Sequence, residues 1–175
     1  HYTAKLAKEE DPDCVAVFIG PCLAKRREGM DDEYVDYVLS VEEIGALFIA
    51  MNIDVAQQEH SEPEGKISPT ASARNFAVSG GVAESVRIRL KDPSILKPAV
   101  INGLNKIGMK QLAGYGKINV GKMPHSDSTP NLVEVMACEG GCIAGPCVVT
   151  NPKVAAVQLK KYVENGKKDE QIPEK

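Results

Sequence analysis

The chain has 175 residues, 43% of them hydrophobic, and a formal net charge of -3. That is enough apolar material for one buried core, or for one domain and part of another, and the charge is too evenly mixed to offer nucleic acid a basic face. No apolar run reaches the roughly 18 residues needed to span a bilayer, and His1–Lys8 lacks the apolar centre of a secretory signal, so a cytoplasmic protein with no membrane partner is expected.

The opening residues lack an initiator Met and read as the last turns of a helix already under way. From Cys14 to Gly20 a continuous apolar, partly β-branched run predicts a central parallel strand buried on both faces, ending in the turn Gly20-Pro21-Cys22. Lys25–Gly29 follows as a polar loop or short helix. Tyr34–Leu39 is a second strand, and Ser40 and Glu43 stand in capping-box spacing before a helix from Val41 to Met51. Residues 52–73 carry three loop formers, Pro63, Gly65 and Pro69, and no sustained period, which predicts a long surface loop or insertion.

Phe76-Ala-Val-Ser-Gly-Gly-Val82 sets two glycines at a helix start, the helix running to Lys91; its backbone amides could face an anion, or the pair could simply permit close packing. Ala99–Gly103 reads as a strand, and Asn105 caps a helix through Leu112 that Gly114 and Gly116 end. Asn131–Ala137 is the next strand. Asn151-Pro152 then opens a helix with Val154, Val157, Leu159 and Val163 on its apolar side, and 167–175 form a charged tail. The expected fold is α/β, a mainly parallel sheet flanked by helices, with both cysteine turns at carboxyl ends of strands.

The cysteines are Cys14, Cys22, Cys138, Cys142 and Cys147, an odd number in two remote clusters, which favours metal or redox use in a reduced compartment over a disulfide framework. Cys138 and Cys142 end an apolar run among small residues, where thiolates and backbone amides can approach inorganic iron and sulfide. No second close pair completes a structural zinc site, and His1, His60 and His125 lie outside any cysteine motif and read as surface or loop residues. No pair has the Cys-x-x-Cys spacing of a redox disulfide, although Cys142 and Cys147 could approach one another. Iron-sulfur ligation remains: Cys22, Cys138 and Cys142 give three thiolates, and the fourth ligand of a cubane is Cys147, Cys14 or a residue outside the chain.

Phe18-Ile-Gly-Pro-Cys-Leu-Ala-Lys-Arg-Arg-Glu28 resembles the second signature of the iron-only ([FeFe]) hydrogenases, Pro-Cys-x-x-Lys-x-x-Glu after a strand. Glu134-Val-Met-Ala-Cys-Glu-Gly-Gly-Cys142 resembles their third signature, and Phe76–Val82 resembles a Phe-Gly-x-Thr-Gly-Gly-Val stretch lying between the two. The resemblance spans roughly residues 10–160 and implies that 1–166 form the C-terminal portion of the two-lobed iron-only hydrogenase large-subunit domain.

It also implies an H-cluster, a [4Fe-4S] cubane bridged to a two-iron subcluster carrying CO and cyanide, with Cys22, Cys138 and Cys142 as ligands and Cys142 as the bridge. Lys25 would donate to a cyanide, with Glu28 beside it and Met136 lining the catalytic pocket; Pro21, Phe76, Ser79 and Gly80 match cofactor-binding positions. The residues themselves also admit a surface Lys25–Glu28 pair at helical spacing and simple packing roles for Met136 and Phe76.

The implied activity is reversible reduction of protons to H2, with a ferredoxin-like electron donor as partner. The family's first signature, Thr-Ser-Cys-Cys-Pro, is expected before residue 1, where it would supply the fourth cubane ligand and a proton-relay cysteine; without it the chain alone is expected to be inactive. Gly20 stands where catalytic members carry Met, and Ile143–Cys147 replaces a Gly-rich run ending in Gln-Pro. Both departures resemble hydrogen-sensing members. A non-catalytic relative serving iron-sulfur assembly is a further alternative, which Lys25 disfavours because a site without cyanide has nothing for it to hold.

Overall fold

A computed structural model describes residues 1–59 and 69–166, so His60, the middle of the predicted 52–73 loop and the predicted 167–175 tail lie outside the described residues. These residues form two compact units, one of 1–59 with 145–150 and the other of 69–144 with 151–166. Instead of one sheet there are two parallel pairs, one per unit. No helix among the described residues is long and apolar enough to cross a membrane.

The first unit runs α1 (Tyr2–Glu10), β1 (Val17–Gly20), α2 (Ala24–Met30), β2 (Tyr37–Ser40) and α3 (Val41–Ala50). β1 and β2 pair in parallel from Val17 opposite Tyr37 to Gly20 opposite Ser40. The strand expected from Cys14 begins only at Val17, because the Ala16 amide goes to the Asp36 carboxylate at 2.7 Å instead of to a strand neighbour. Asp36 also takes the Lys8 ammonium of α1, and that hydrogen bond, with the Ala16 amide, lowers its carboxyl pKa.

The expectation of a central strand buried on both faces fails. A two-stranded sheet has no centre, and Val17, Phe18 and Ile19 stay exposed within the unit. The segment 25–29 is helical, and Gly29 lets α2 lie close on β2: a Cβ there would stand 2.3 Å from a Val38 methyl. The Ser40–Glu43 capping box forms as spaced, with Glu43 N–H donating to Ser40 Oγ at 3.1 Å and Ser40 N–H to Glu43 Oε2 at 2.8 Å.

The second unit runs α4 (Ala71–Arg74), α5 (Gly81–Arg87), β3 (Pro98–Asn102), α6 (Lys106–Asn119), β4 (Leu132–Met136) and α7 (Pro152–Glu164). α4 starts inside the predicted loop, where the Thr70 hydroxyl accepts from the Ala73 amide and caps it. α5 stops short of the predicted Lys91: Pro93 restricts Asp92 to extended backbone, and the chain tightens into turns after Arg87.

β3 and β4 pair in parallel from Pro98 opposite Leu132 to Asn102 opposite Met136. The strand alternation puts Val100, Asn102, Glu134 and Met136 on one face, against α5, and Ala99, Ile101, Val133 and Val135 on the other, against α6. Ile101 is 1% exposed and is the centre of this packing, touching the position of Gly108 in α6. α6 does not end at Gly114 or Gly116. A glycine costs a helix roughly 1 kcal/mol without breaking it, both face open space, and the stop comes at Gly121, with φ +72. In α7 the side chain of Asn151 caps as expected, but Val154 and Val157 are exposed and the packing falls to Leu159 and Val163.

These two glycine environments predict opposite outcomes for one substitution type. Gly114→Ala, with nothing within 4 Å, raises the free energy of unfolding by about 0.5–1 kcal/mol in urea titration. Gly108→Ala lowers the midpoint, because its Cβ would meet the Gly103 carbonyl oxygen at 2.2 Å.

Candidate functional site

In the first unit the candidate residues follow β1. Pro21 has no amide to donate, and the Cys22 carbonyl accepts the Lys25 amide at 3.2 Å as the chain turns into α2. Cys22 is a half-buried free thiol on that turn, while Cys14 lies at the opposite end of β1. Lys25 Nζ sits 2.5 Å from Glu28 Oε2 at i,i+3, the surface pairing that the helical spacing allows, and both line a cleft of about 60 Å³ with Phe18. The Phe18 ring fills the space beside Gly20, where a Cβ would come within 2.7 Å of it.

Arg26, one residue on, forms an ion pair with Glu43 of the capping box. The Arg26 hydrogen bond first, and the Ser40 amide second, hold the Glu43 carboxyl at about 2. This ties α2 to the start of α3. Cys147 is 4% exposed, and its amide donates to the Pro21 carbonyl at 3.3 Å, so the residue that the pattern leaves over lies directly against the Cys22 turn.

In the second unit the candidates gather at the carboxyl ends of β3 and β4. Met136 is half-buried opposite Asn102, and Ala137 leads into the turn Cys138–Cys142. That turn closes with Gly141 N–H donating to the Cys138 carbonyl at 3.1 Å. Gly141 needs to be glycine twice over: φ is +89, and a Cβ would meet the Ala77 carbonyl oxygen at 2.6 Å and the Ser79 nitrogen at 2.8 Å. The cysteine turn therefore lies backbone to backbone on the segment 77–79.

Asn102 locks the contact. Its Oδ1 accepts from Ser79 Oγ at 2.6 Å and from the Gly140 amide at 2.7 Å. Phe76 stands just before this segment, exposed. Of the two readings of the glycine pair, an anion is met, and it is intramolecular: Glu134 is 7% exposed, and its two oxygens accept the Gly80 and Ala83 amides, each at 2.8 Å. Gly80 thus spends its amide on the protein, and its φ of +90 shapes the turn.

Ser79, Gly80, Met136, Cys138 and Cys142 are thus gathered in one unit, and Pro21, Cys22, Lys25 and Glu28 in the other. Within neither unit do three His, Cys, Asp or Glu side chains of the described residues form a ready-made metal site. Sequence reasoning missed Glu134 and Asn102 as working residues. Glu134 had a signal, a lone carboxylate in an otherwise apolar strand, which must find donors if it is buried. Asn102 had none beyond its place at a strand end. His1 Nδ1 sits 3.0 Å from Asp32 Oδ2, and His125 lines a separate cavity of about 310 Å³ beside α6.

Residues 1–146 match the family described as iron only hydrogenase large subunit, C-terminal domain. The NADP-reducing hydrogenase subunit HndD of Solidesulfovibrio fructosivorans is 30% identical over 160 residues, covering 75% of this chain and 27% of that protein. The periplasmic [Fe] hydrogenase large subunit of Nitratidesulfovibrio vulgaris (Hildenborough) is 25% identical over 177 residues, covering 82% of this chain and 41% of that protein. The chain thus spans between 27% and 41% of the length of these two curated relatives. Its fold is similar to that of HydA(deltaEFG), from work on stepwise [FeFe]-hydrogenase H-cluster assembly, at a TM-score of 0.54 and 18% identity, over 95% of this chain and 57% of that one.

Two predictions come from the carboxylates. Glu43 is depressed in the folded state from an ordinary 4.5 to about 2, so its contribution to stability is fully present above about 4.5 and is lost as pH falls through about 2. Arg26→Met raises the Glu43 midpoint toward 4.5 in a carboxyl NMR titration; an unmoved midpoint refutes the pairing. Glu134→Gln, which turns an amide NH2 toward backbone donors, lowers the unfolding free energy by about 1–3 kcal/mol in urea titration.

Proposed function

The chain belongs to the family of C-terminal domains of iron-only hydrogenase large subunits, and we propose that it contributes Cys22, Cys138 and Cys142 as thiolate ligands of an H-cluster in a protein running 2 H⁺ + 2 e⁻ ⇌ H2. One observation carries the reading: each cysteine turn follows the carboxyl end of a parallel strand, in the order and pattern of the family's signatures. The donor set fits the cofactor in kind, with Cys22 and Cys138 as half-buried free thiols and Cys138 and Cys142 on a turn that has glycine at 140 and 141. Bound, the cluster would supply electron storage and an iron site able to polarise H2.

The chain's own residues have the remaining tasks. Lys25, a compact ammonium held by Glu28, would donate to an anionic cyanide of the cluster, with Glu28 as the nearby carboxylate. Met136 and Phe76 would supply apolar side chains beside the cysteine turn. Ser79 and Gly80 act by shaping the turn on which the cysteines rest, since Asn102 and Glu134 already engage them. A further segment of the domain would complete the cubane's ligands, and a ferredoxin-like donor in a reducing, cytoplasmic setting would deliver electrons.

A hydrogen-sensing role is the second reading. The Phe18 ring against Gly20 favours it, because it occupies the place from which catalytic members extend a Met, and the run Ile143–Cys147, which departs from the family's pattern, ends with the Cys147 amide donating to the Pro21 carbonyl of that turn.

Anaerobic loading of the full-length protein tests both. Cys22→Ser, Cys138→Ser and Cys142→Ser should each lower bound iron and remove the CO and cyanide infrared bands, whereas Lys25→Ala should keep the cubane's iron and lose or shift the cyanide bands. Unchanged iron and infrared bands in the cysteine variants would sink the ligand assignment. Full infrared bands with no H2 evolution from a reduced dye would sink turnover in favour of sensing.

A further inference from the structure

Cys147, like Cys14, is a cysteine that the hydrogenase reading leaves without a task. It is 4% exposed, its amide donates to the Pro21 carbonyl at 3.3 Å, and Arg26 of α2 lies within electrostatic reach of it. A backbone hydrogen bond onto the residue before Cys22 makes Cys147 a close neighbour of Cys22 in the fold, the arrangement a disulfide needs, since it bridges Cα atoms no more than about 7 Å apart. The other thiols are placed differently: Cys14 stands at the far end of β1, and Cys138 and Cys142 belong to the other unit.

We propose that Cys22 and Cys147 are a reversible thiol–disulfide pair, formed when the protein carries no cluster and meets a low-molecular-weight disulfide. Cys22, the more exposed of the two, attacks one sulfur of that disulfide, forms a mixed disulfide and releases one small thiol. Cys147 then attacks the Cys22 sulfur and displaces the second small thiol. Two protein thiols lose two electrons, the small disulfide gains them, and both protons end on the released thiols. The bond joins the segment 145–150 to the Pro21-Cys22 turn, two pieces that one backbone hydrogen bond already holds together.

The consequence, though not the linkage, rests on the proposed function: with its sulfur in a disulfide, Cys22 cannot ligate iron, so loading requires prior reduction. Linkage and loading are therefore read separately. The protein is purified under argon without iron, exposed to oxidised glutathione, alkylated, digested and mapped by mass spectrometry. The expected result is a Cys22–Cys147 linked peptide, loss of both residues from alkylation, and full recovery of both after dithiothreitol. Cys147→Ser is expected to leave glutathione trapped on Cys22, and Cys14→Ser to leave the linked peptide unchanged.

A persistent glutathione adduct on Cys22 in the unsubstituted protein overturns the pair, as does Cys138–Cys142 as the main linkage. Because that map uses no variant, it decides the matter even if replacing a buried cysteine disturbs folding. In the second readout, iron uptake by the oxidised protein is expected to be lost and restored by dithiothreitol. Linkage with undiminished uptake would overturn the role of Cys22 as ligand while leaving the disulfide standing.

Discussion

The second unit depends on a buried carboxylate. Glu134 enters an apolar face of β4, where an ionised group without donors is costly, and its two oxygens are satisfied by the amides of Gly80, just before α5, and of Ala83 in its first turn. Because those amides come from backbone, the helix cannot slide along the sheet without exposing the charge to an apolar surface. The position of α5 sets that of Ser79, whose hydroxyl goes to Asn102, and Asn102 holds the Gly140 amide of the cysteine turn. The cysteines thus inherit their placement from a glutamate four residues before the first of them.

The first unit works by a different balance. Its sheet has two strands, and its apolar residues remain largely exposed, so burial contributes little order near Cys22. Polar ties substitute for it. Asp36 gathers α1, the residue before β1 and the edge of β2, while Arg26 and Glu43 join α2 to a capped α3. Such exposed pairs are individually weak and salt-sensitive. The Cys22 turn is braced instead from the chain's later segment, by Cys147 against Pro21.

This division changes the meaning of the glycines around the candidate site. At the Gly80–Gly81 pair, backbone freedom serves an internal anion, and Gly81 also comes so near the Asn75 carbonyl that a Cβ would stand 1.9 Å from its oxygen. At Gly141, the absence of a side chain lets one turn rest on another. Neither glycine offers an amide to a cofactor by default; each instead makes room for the residues that do the placing.

Much was legible in the sequence because it rests on local physics. Short-range rules located the four strands, the capped helices α3, α6 and α7, and both cysteine turns at strand ends. Cap side chains and strand periodicity act over a few residues and leave their mark in order. The signature spacing likewise pointed to the family whose model the chain matches. What only the tertiary structure decided are the matters that depend on distant neighbours. Whether β1 is buried depends on strands it does not carry. Which anion the Gly80 amide meets, and that Cys147 lies against Cys22, depend on contacts across 54 residues in the first case and more than a hundred in the second. No local pattern encodes such pairings, because each is fixed by packing energy shared over a whole unit.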